Sequence, residues 1–281
     1  MDIPFHMFQG LRHIHVMNIR ENQPQTFDNI KKMIAQSPRL NSISVHGHWE
    51  GRIGKASLHE LFKHYPSNAP PLCIHSLAIT YFLVRLDEVT LPHLRHLTSL
   101  DIDDMIDPTE PPEPWRSPLP LDAIMHQNRY GSSHEEVWTM VFQAGLQLEE
   151  ISTHRVCPAF LDYLGSYSGL KKLRLVPEGF RDGASSNRAA SRFYESIRKH
   201  AQSLEELDIC ALYEDAWCIN NRNPSSGLFS IISTCPNLKE LHVKVHLKDL
   251  VLKHESPVKV DIIVSLLLRR SNFFFENFFF W

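Results

Sequence analysis

Apolar residues along this chain gather at positions 1, 4 and 6 of a six-residue phrase that returns eight times, with polar or small residues at most positions between them. Counted from its first apolar residue, the phrase begins at Leu11 (LRHIHV), Leu40 (LNSISV), Ile74 (IHSLAI), Leu97 (LTSLDI), Leu148 (LEEIST), Leu170 (LKKLRL), Leu204 (LEELDI) and Leu238 (LKELHV). Side chains on a strand alternate between its two faces, so each copy predicts a strand packed on one side only. Between copies the period becomes helical. Residues 26–36 space Phe27, Ile30 and Ile34 along one stripe, residues 158–164 supply Phe160, Leu161 and Leu164, and residues 189–200 supply Phe193 and Ile197. Ser57 with Glu60, and Ser133 with Glu136, carry the capping-box spacing ahead of Leu61 and Phe62 and of Val137, Val141 and Phe142. Breakers then precede the next phrase, as in SPRL at 37–40, YSGL at 167–170 and CPNL at 235–238.

A helix, a stop and a strand, stacked copy upon copy, form a core that no single copy could bury. This is the pattern of leucine-rich repeats, and it predicts an α/β solenoid: a curved right-handed coil with parallel strands on its concave face and helices and loops on its convex face. Successive copies start 29, 34, 23, 51, 22, 34 and 34 residues apart, so insertions are expected between irregular repeats. Residues 1–246 read as the solenoid, with an acidic, proline-rich insertion at 103–121 that is either a tolerated loop or a contact arm around Trp115. Residues 247–281 form an atypical C-terminal segment ending SNFFFENFFFW. So apolar a tail is sticky if exposed. A surface anchor is one reading; a natural chain that continues into another repeat or a cap is the preferred one.

Composition narrows the function classes. A formal charge of −3 and a pI near 6.6 argue against a generic binder of nucleic acid or of anionic membranes. No stretch reaches the roughly 20 apolar residues of a membrane span, and the N-terminus lacks a secretory pattern. Cys73, Cys157, Cys210, Cys218 and Cys235 are scattered without a CxxC pair, which points to a reduced compartment, cytoplasm or nucleus.

Catalytic motifs are not evident. Gly54-Lys55 hints at a phosphate loop, but Ala56 stands where Ser or Thr is required. No catalytic residue, cofactor or metal is therefore expected. The histidines are numerous, and His13, His15, His46 and His48 fall in or beside the first two strands. Three converging imidazoles could bind zinc, yet no cysteine or carboxylate stands nearby in sequence to complete a tetrahedral set. Their simpler reading is as polar residues of the open face.

That face is the expected binding surface. Outward positions 3, 5 and 7 bring up His13, His15 and Met17; Ser42, Ser44 and His46; Ser76, Ala78 and Thr80; Ser99, Asp101 and Asp103; Glu150, Ser152 and His154; Lys172, Arg174 and Val176; Glu206, Asp208 and Cys210; and Glu240, His242 and Lys244. The charge is banded: acidic at Asp101 and Asp103, basic at Lys172 and Arg174, acidic at Glu206 and Asp208, mixed at His242 and Lys244. Such bands either stabilise one another across strands or set the register of a protein partner.

CPNLKELHV at 235–243 and AQSLEELDI at 201–209 resemble the cysteine-containing repeat of F-box proteins, particularly the divergent F-box/LRR-like proteins of fungi, over roughly residues 11–243. The resemblance implies a non-enzymatic scaffold that recognises substrates for a ubiquitin ligase. No segment of this sequence resembles the F-box itself, so a ligase adaptor is an expected partner only if the full gene supplies one. The alternatives are a regulatory repeat scaffold of GTPase-activating or inhibitor type and a metal-binding protein using the N-terminal histidines.

Overall fold

The computed structural model describes residues 8–19, 24–47, 57–102, 105, 132–211, 216–218 and 227–244, and the chain divides into two compact units at Tyr163 and Leu164. In the first unit, β1 (His13–Ile19), β2 (Ser42–Gly47), β3 (Ser76–Thr80), β4 (Ser99–Asp101) and β5 (Glu150–Arg155) are parallel and pair in chain order. Helices alternate with them: α1 (Pro24–Ala35), α2 (Leu58–Phe62), a 3₁₀ turn (Leu91–Leu94), α3 (His134–Gln143) and α4 (Pro158–Leu164). In the second unit, β6 (Lys172–Glu178), β7 (Glu206–Ile209) and β8 (Glu240–Val243) are likewise parallel, with α5 (Gly183–Ile197), a 3₁₀ turn (Arg198–His200) and α6 (Leu228–Ile232) between them. The proline-rich insertion, apart from Met105, and the C-terminal segment beyond Lys244 lie outside the described residues.

All eight phrases form the expected strands, and the first, fourth and sixth positions supply the core. Leu40, Ile43 and Val45, then Ile74, Leu77 and Ile79, then Leu97, Leu100 and Ile102 are buried, as are Leu170, Leu173, Leu175, Leu204, Leu207 and Ile209. Burial of each such side chain contributes about 1.5–3 kcal/mol. The outermost strands are less covered: Leu11 and Val16 in the first copy, and Leu241 and Val243 in the last, are half-buried.

The backbone repeats a single connection from copy to copy. The carbonyl at position 2 accepts the N–H groups at positions 2 and 3 of the next copy. Arg12 O thus takes Asn41 and Ser42, Asn41 O takes His75 and Ser76, His75 O takes Thr98 and Ser99, and Thr98 O takes Glu149 and Glu150. In the second unit Lys171 O takes Glu205 and Glu206, and Glu205 O takes Lys239 and Glu240. These bonds set the register in which His13, Ser42, Ser76, Ser99 and Glu150 form one rung across the first unit.

Helix boundaries follow their caps. Ser133 and Glu136 form the reciprocal box, at 3.2 Å to the Glu136 N–H and 2.8 Å back to the Ser133 N–H. Ser57 accepts from the Glu60 N–H at 3.3 Å. The helix expected at 189–200 starts earlier, at Gly183, because Asp182 caps it and exchanges hydrogen bonds with Ser185 at 2.7 and 3.2 Å. An apolar-spacing argument overlooks this polar first turn. Gly145 and Gly169 end their segments with φ of 65° and 113°, values that a side chain disfavours.

Four of the turns into a strand are closed by a buried polar side chain, and the turns at Leu40, Leu97, Leu204 and Leu238 by a backbone carbonyl. The Leu11 N–H donates to Ser37 Oγ at 3.1 Å, Leu72 to His93 Nδ1 at 3.0 Å, Leu148 to Tyr163 Oη at 3.1 Å, and Leu170 to His200 Nδ1 at 3.1 Å. His200 also donates from Nε2 to Leu164 O at 2.9 Å, which requires the neutral Nε2–H tautomer. His93 lies stacked on Phe62, with ring centroids 4.8 Å apart. Trp217 performs a related task within the insertion between β7 and α6. It is fully buried against Phe193 and Phe180, donates from Nε1 to Ser186 Oγ at 3.1 Å, and so anchors this stretch on α5.

Burial holds the pKa of His93 and of His200 below the ordinary histidine value, and for His200 Lys199 adds to the depression while the Leu164 carbonyl opposes it. The unfolded chain therefore binds more protons just below pH ~6.5. Stability is full above that pH and declines as pH falls through the lowered folded values, by up to about 1.4 kcal/mol per pH unit for each histidine. Urea unfolding at about pH 7.5 and 5.5 is expected to show the lower midpoint at 5.5. His200→Gln should flatten this dependence and cost about 1–3 kcal/mol at the higher pH. By the same assay Trp217→Ala should cost about 3–5 kcal/mol.

Candidate interaction faces

Opposite the helices, each unit presents a sheet face whose outward side chains are at least partly exposed among the described residues. Outward residues of β2, β3 and β4 are partly exposed while their alternating neighbours are buried, and in β6 Lys172 and Arg174 are exposed. The described sequence-predicted face residues therefore all stand on outward positions, and Asp103 lies outside the described residues.

In the first unit, one rung runs His13, Ser42, Ser76, Ser99, Glu150 and the next His15, Ser44, Ala78, Asp101, Ser152. His46, one step further along β2, meets His15 edge-on with ring centroids 5.3 Å apart and bonds Ser44 Oγ through Nε2 at 3.0 Å. Partial burial lowers the pKa of His46, nearby His15 adds to the lowering, and Asp101 opposes it. His154 packs edge-on against buried His134 at 5.2 Å. Met17 is 63% exposed at the end of this face.

Among the described residues no three His, Cys, Asp or Glu side chains are grouped to hold an ion, and His48 lies outside them.

The second unit's face is an interlocked set of charges. Lys172 Nζ stands 3.9 Å from Glu206, Arg174 Nε 3.8 Å from Asp208, and His242 Nδ1 3.9 Å from the same Asp208 carboxylate. Lys239 bonds Glu205 at 2.6 Å, and this contact holds the Glu205 carboxyl below its ordinary pKa. Cys210 Sγ donates to Asp208 Oδ1 at 3.3 Å. The basic and acidic bands are therefore neighbours across strands. Pairs this exposed contribute about 0–1 kcal/mol.

Sequence reasoning missed one cluster on the helix side of the first unit. His59 Nδ1 lies 2.6 Å from Asp87 Oδ2, and Arg85 Nε reaches the same oxygen at 2.9 Å. Asp87 Oδ1 accepts the Val89 N–H at 3.0 Å and the Thr90 N–H at 3.3 Å. This carboxylate organises the turn before Leu91–Leu94 and ties it to α2, a structural use of a histidine–carboxylate pair. Its 28-residue separation in sequence left no local pattern to find. The Cys157 thiol is pushed up to about 12 by burial, so it is protonated and unreactive near neutral pH.

Among the described residues no helix is long and apolar enough to cross a membrane. Compared with protein-family models and with curated proteins, the chain matches none. If the charge bands serve register rather than stability, Arg174→Ala should shift the urea midpoint by an amount equivalent to no more than about 1 kcal/mol, less in high salt.

Proposed function

We propose that the chain is a leucine-rich repeat scaffold that binds a protein partner on the outward face of its parallel strands. The observation that carries this reading is the division of labour along every phrase: positions 1, 4 and 6 serve the core, while positions 3, 5 and 7 have no task in it. In the first unit the central floor of that face is Ser42, Ser44, Ser76, Ala78, Thr80 and Ser99. Small side chains there let a partner approach the sheet closely. The chemistry argues for binding rather than turnover, because the His59–Asp87 pair is engaged in turn-forming contacts and the half-buried Cys157 thiol is protonated near neutral pH.

The most specific form of the proposal is substrate recognition for an F-box type ubiquitin ligase, resting on the resemblance of CPNLKELHV and AQSLEELDI to repeats of that family. No cofactor enters this reading, and neither nucleic acid nor a membrane is its partner.

Affinity capture with the wild-type chain, with Ser76→Arg on the face and with Gln143→Lys on the helix side tests it. Partners retained by wild type and Gln143→Lys but lost by Ser76→Arg are the expected result, with circular dichroism unchanged. Equal capture by all three would overturn the face as the binding surface. The ligase form further expects the captured protein to carry ubiquitin and to accumulate under proteasome inhibition.

A further inference from the structure

On the outward face of the first unit, we infer that His13, His15 and His46 form an acid-switched docking surface for a carboxylate-rich segment of a partner protein. The inference rests on the docking reading above and adds to it the partner's chemistry and a proton as regulator.

The argument begins from what the face carries and lacks. Among its described outward positions there is no lysine or arginine, and the ionisable groups are His13, His15, His46 and His154 against Asp101 and Glu150. With all imidazoles neutral these positions sum to −2; with all four protonated they sum to +2. Histidine is the one side chain whose ordinary pKa places such a reversal between pH 5 and 8. A face built with Lys or Arg would attract anions at every physiological pH, whereas this one attracts them only when protonated.

Geometry concentrates the effect. His13 and His15 project from one face of β1, and His46 on the neighbouring strand brings its ring within 5.3 Å of His15. Two cations this close repel each other, so an anion laid between them is the natural counter-charge when both are protonated. The groups facing them are limited. On β2 stand Ser42 and Ser44, the latter bonded to His46; on β3, Ser76, Ala78 and Thr80; on β4, Ser99 and Asp101; on β5, Glu150, Ser152 and His154. Arg12, His75 and Glu149 stand where the strands begin, the His75 ring stacked with His96 at 6.1 Å. Asp101 is the carboxylate felt by His46, and it offsets one imidazolium of the three. The remainder is left for a partner. Ser42, Ser76 and Ser99 share a rung with His13, so hydroxyl donors continue from the imidazoles toward β4. Carboxylates accept hydrogen bonds from both kinds of group.

The test is fluorescence anisotropy of a labelled (Glu-Ser)6 peptide titrated with the full chain at about pH 7.5, 6.5 and 5.5 and constant ionic strength, with circular dichroism confirming the fold at each pH. Expected is binding at least about tenfold tighter at 5.5 than at 7.5, lost in the triple variant His13→Gln, His15→Gln, His46→Gln. The variant His64→Gln, at an exposed histidine away from the face, should bind as wild type does, and a (Gln-Ser)6 peptide should not bind. Affinity independent of pH, retention by the triple variant, binding of the Gln peptide, or no binding at any pH would overturn the inference. A basic (Lys-Ser)6 peptide that binds better as pH rises would assign the face to the opposite partner. Should the acidic peptide fail while Ser76→Arg still abolishes capture, the docking reading survives and only the imidazole switch falls; failure of both removes the face altogether.

Discussion

A strand that is apolar on one face and polar on the other must place that apolar face against something, and here each copy places it against its own helix and the copies beside it. The backbone connection at positions 2 and 3 enforces this. When Asn41 O takes the N–H groups of His75 and Ser76, and His75 O those of Thr98 and Ser99, the copies are held in one register. A slip by one residue would bury Ser44 or Ala78 and expose Val45 or Ile79, so hydrogen bonding and burial specify the same alignment.

The helical side solves a different problem. A strand entered from a tight turn leaves N–H groups that water cannot reach, and an orphaned donor costs about 1–3 kcal/mol. Side chains of three chemical kinds meet that need at four turns, Ser37, His93, Tyr163 and His200, each contributed by a segment further along the chain. Regular repeats could use a single residue type for this purpose. Two of the four are histidines, which makes the protein's stability sensitive to acid in the same pH range that charges its open face.

The two faces thus have opposite electrostatic characters. In the second unit Lys172, Arg174, Glu206, Asp208 and His242 satisfy one another across strands. In the first, serines dominate and the ionisable groups are mainly imidazoles. A surface whose charges are internally matched gains little from a charged partner, whereas one whose charges appear only on protonation retains that capacity.

The strands were legible in the sequence because their signal is local: eight phrases, each with its apolar positions in fixed spacing, sufficed to place every strand among the described residues and to name its outward positions. Capping residues that lie three apart, Ser57 with Glu60 and Ser133 with Glu136, were equally readable. What escaped was whatever depends on residues distant in sequence or on polar turns without periodicity: the start of α5 at Asp182, the short helix Leu228–Ile232, the burial of Trp217 on α5, and the His59–Asp87–Arg85 cluster. The candidate site divides in the same way. Alternation along a strand determined that His13, His15 and His46 face outward. Only the pairing of β1 with β2 decided that His15 and His46 touch, because the distance between side chains on different strands is fixed by register, and register is a property of the assembled sheet.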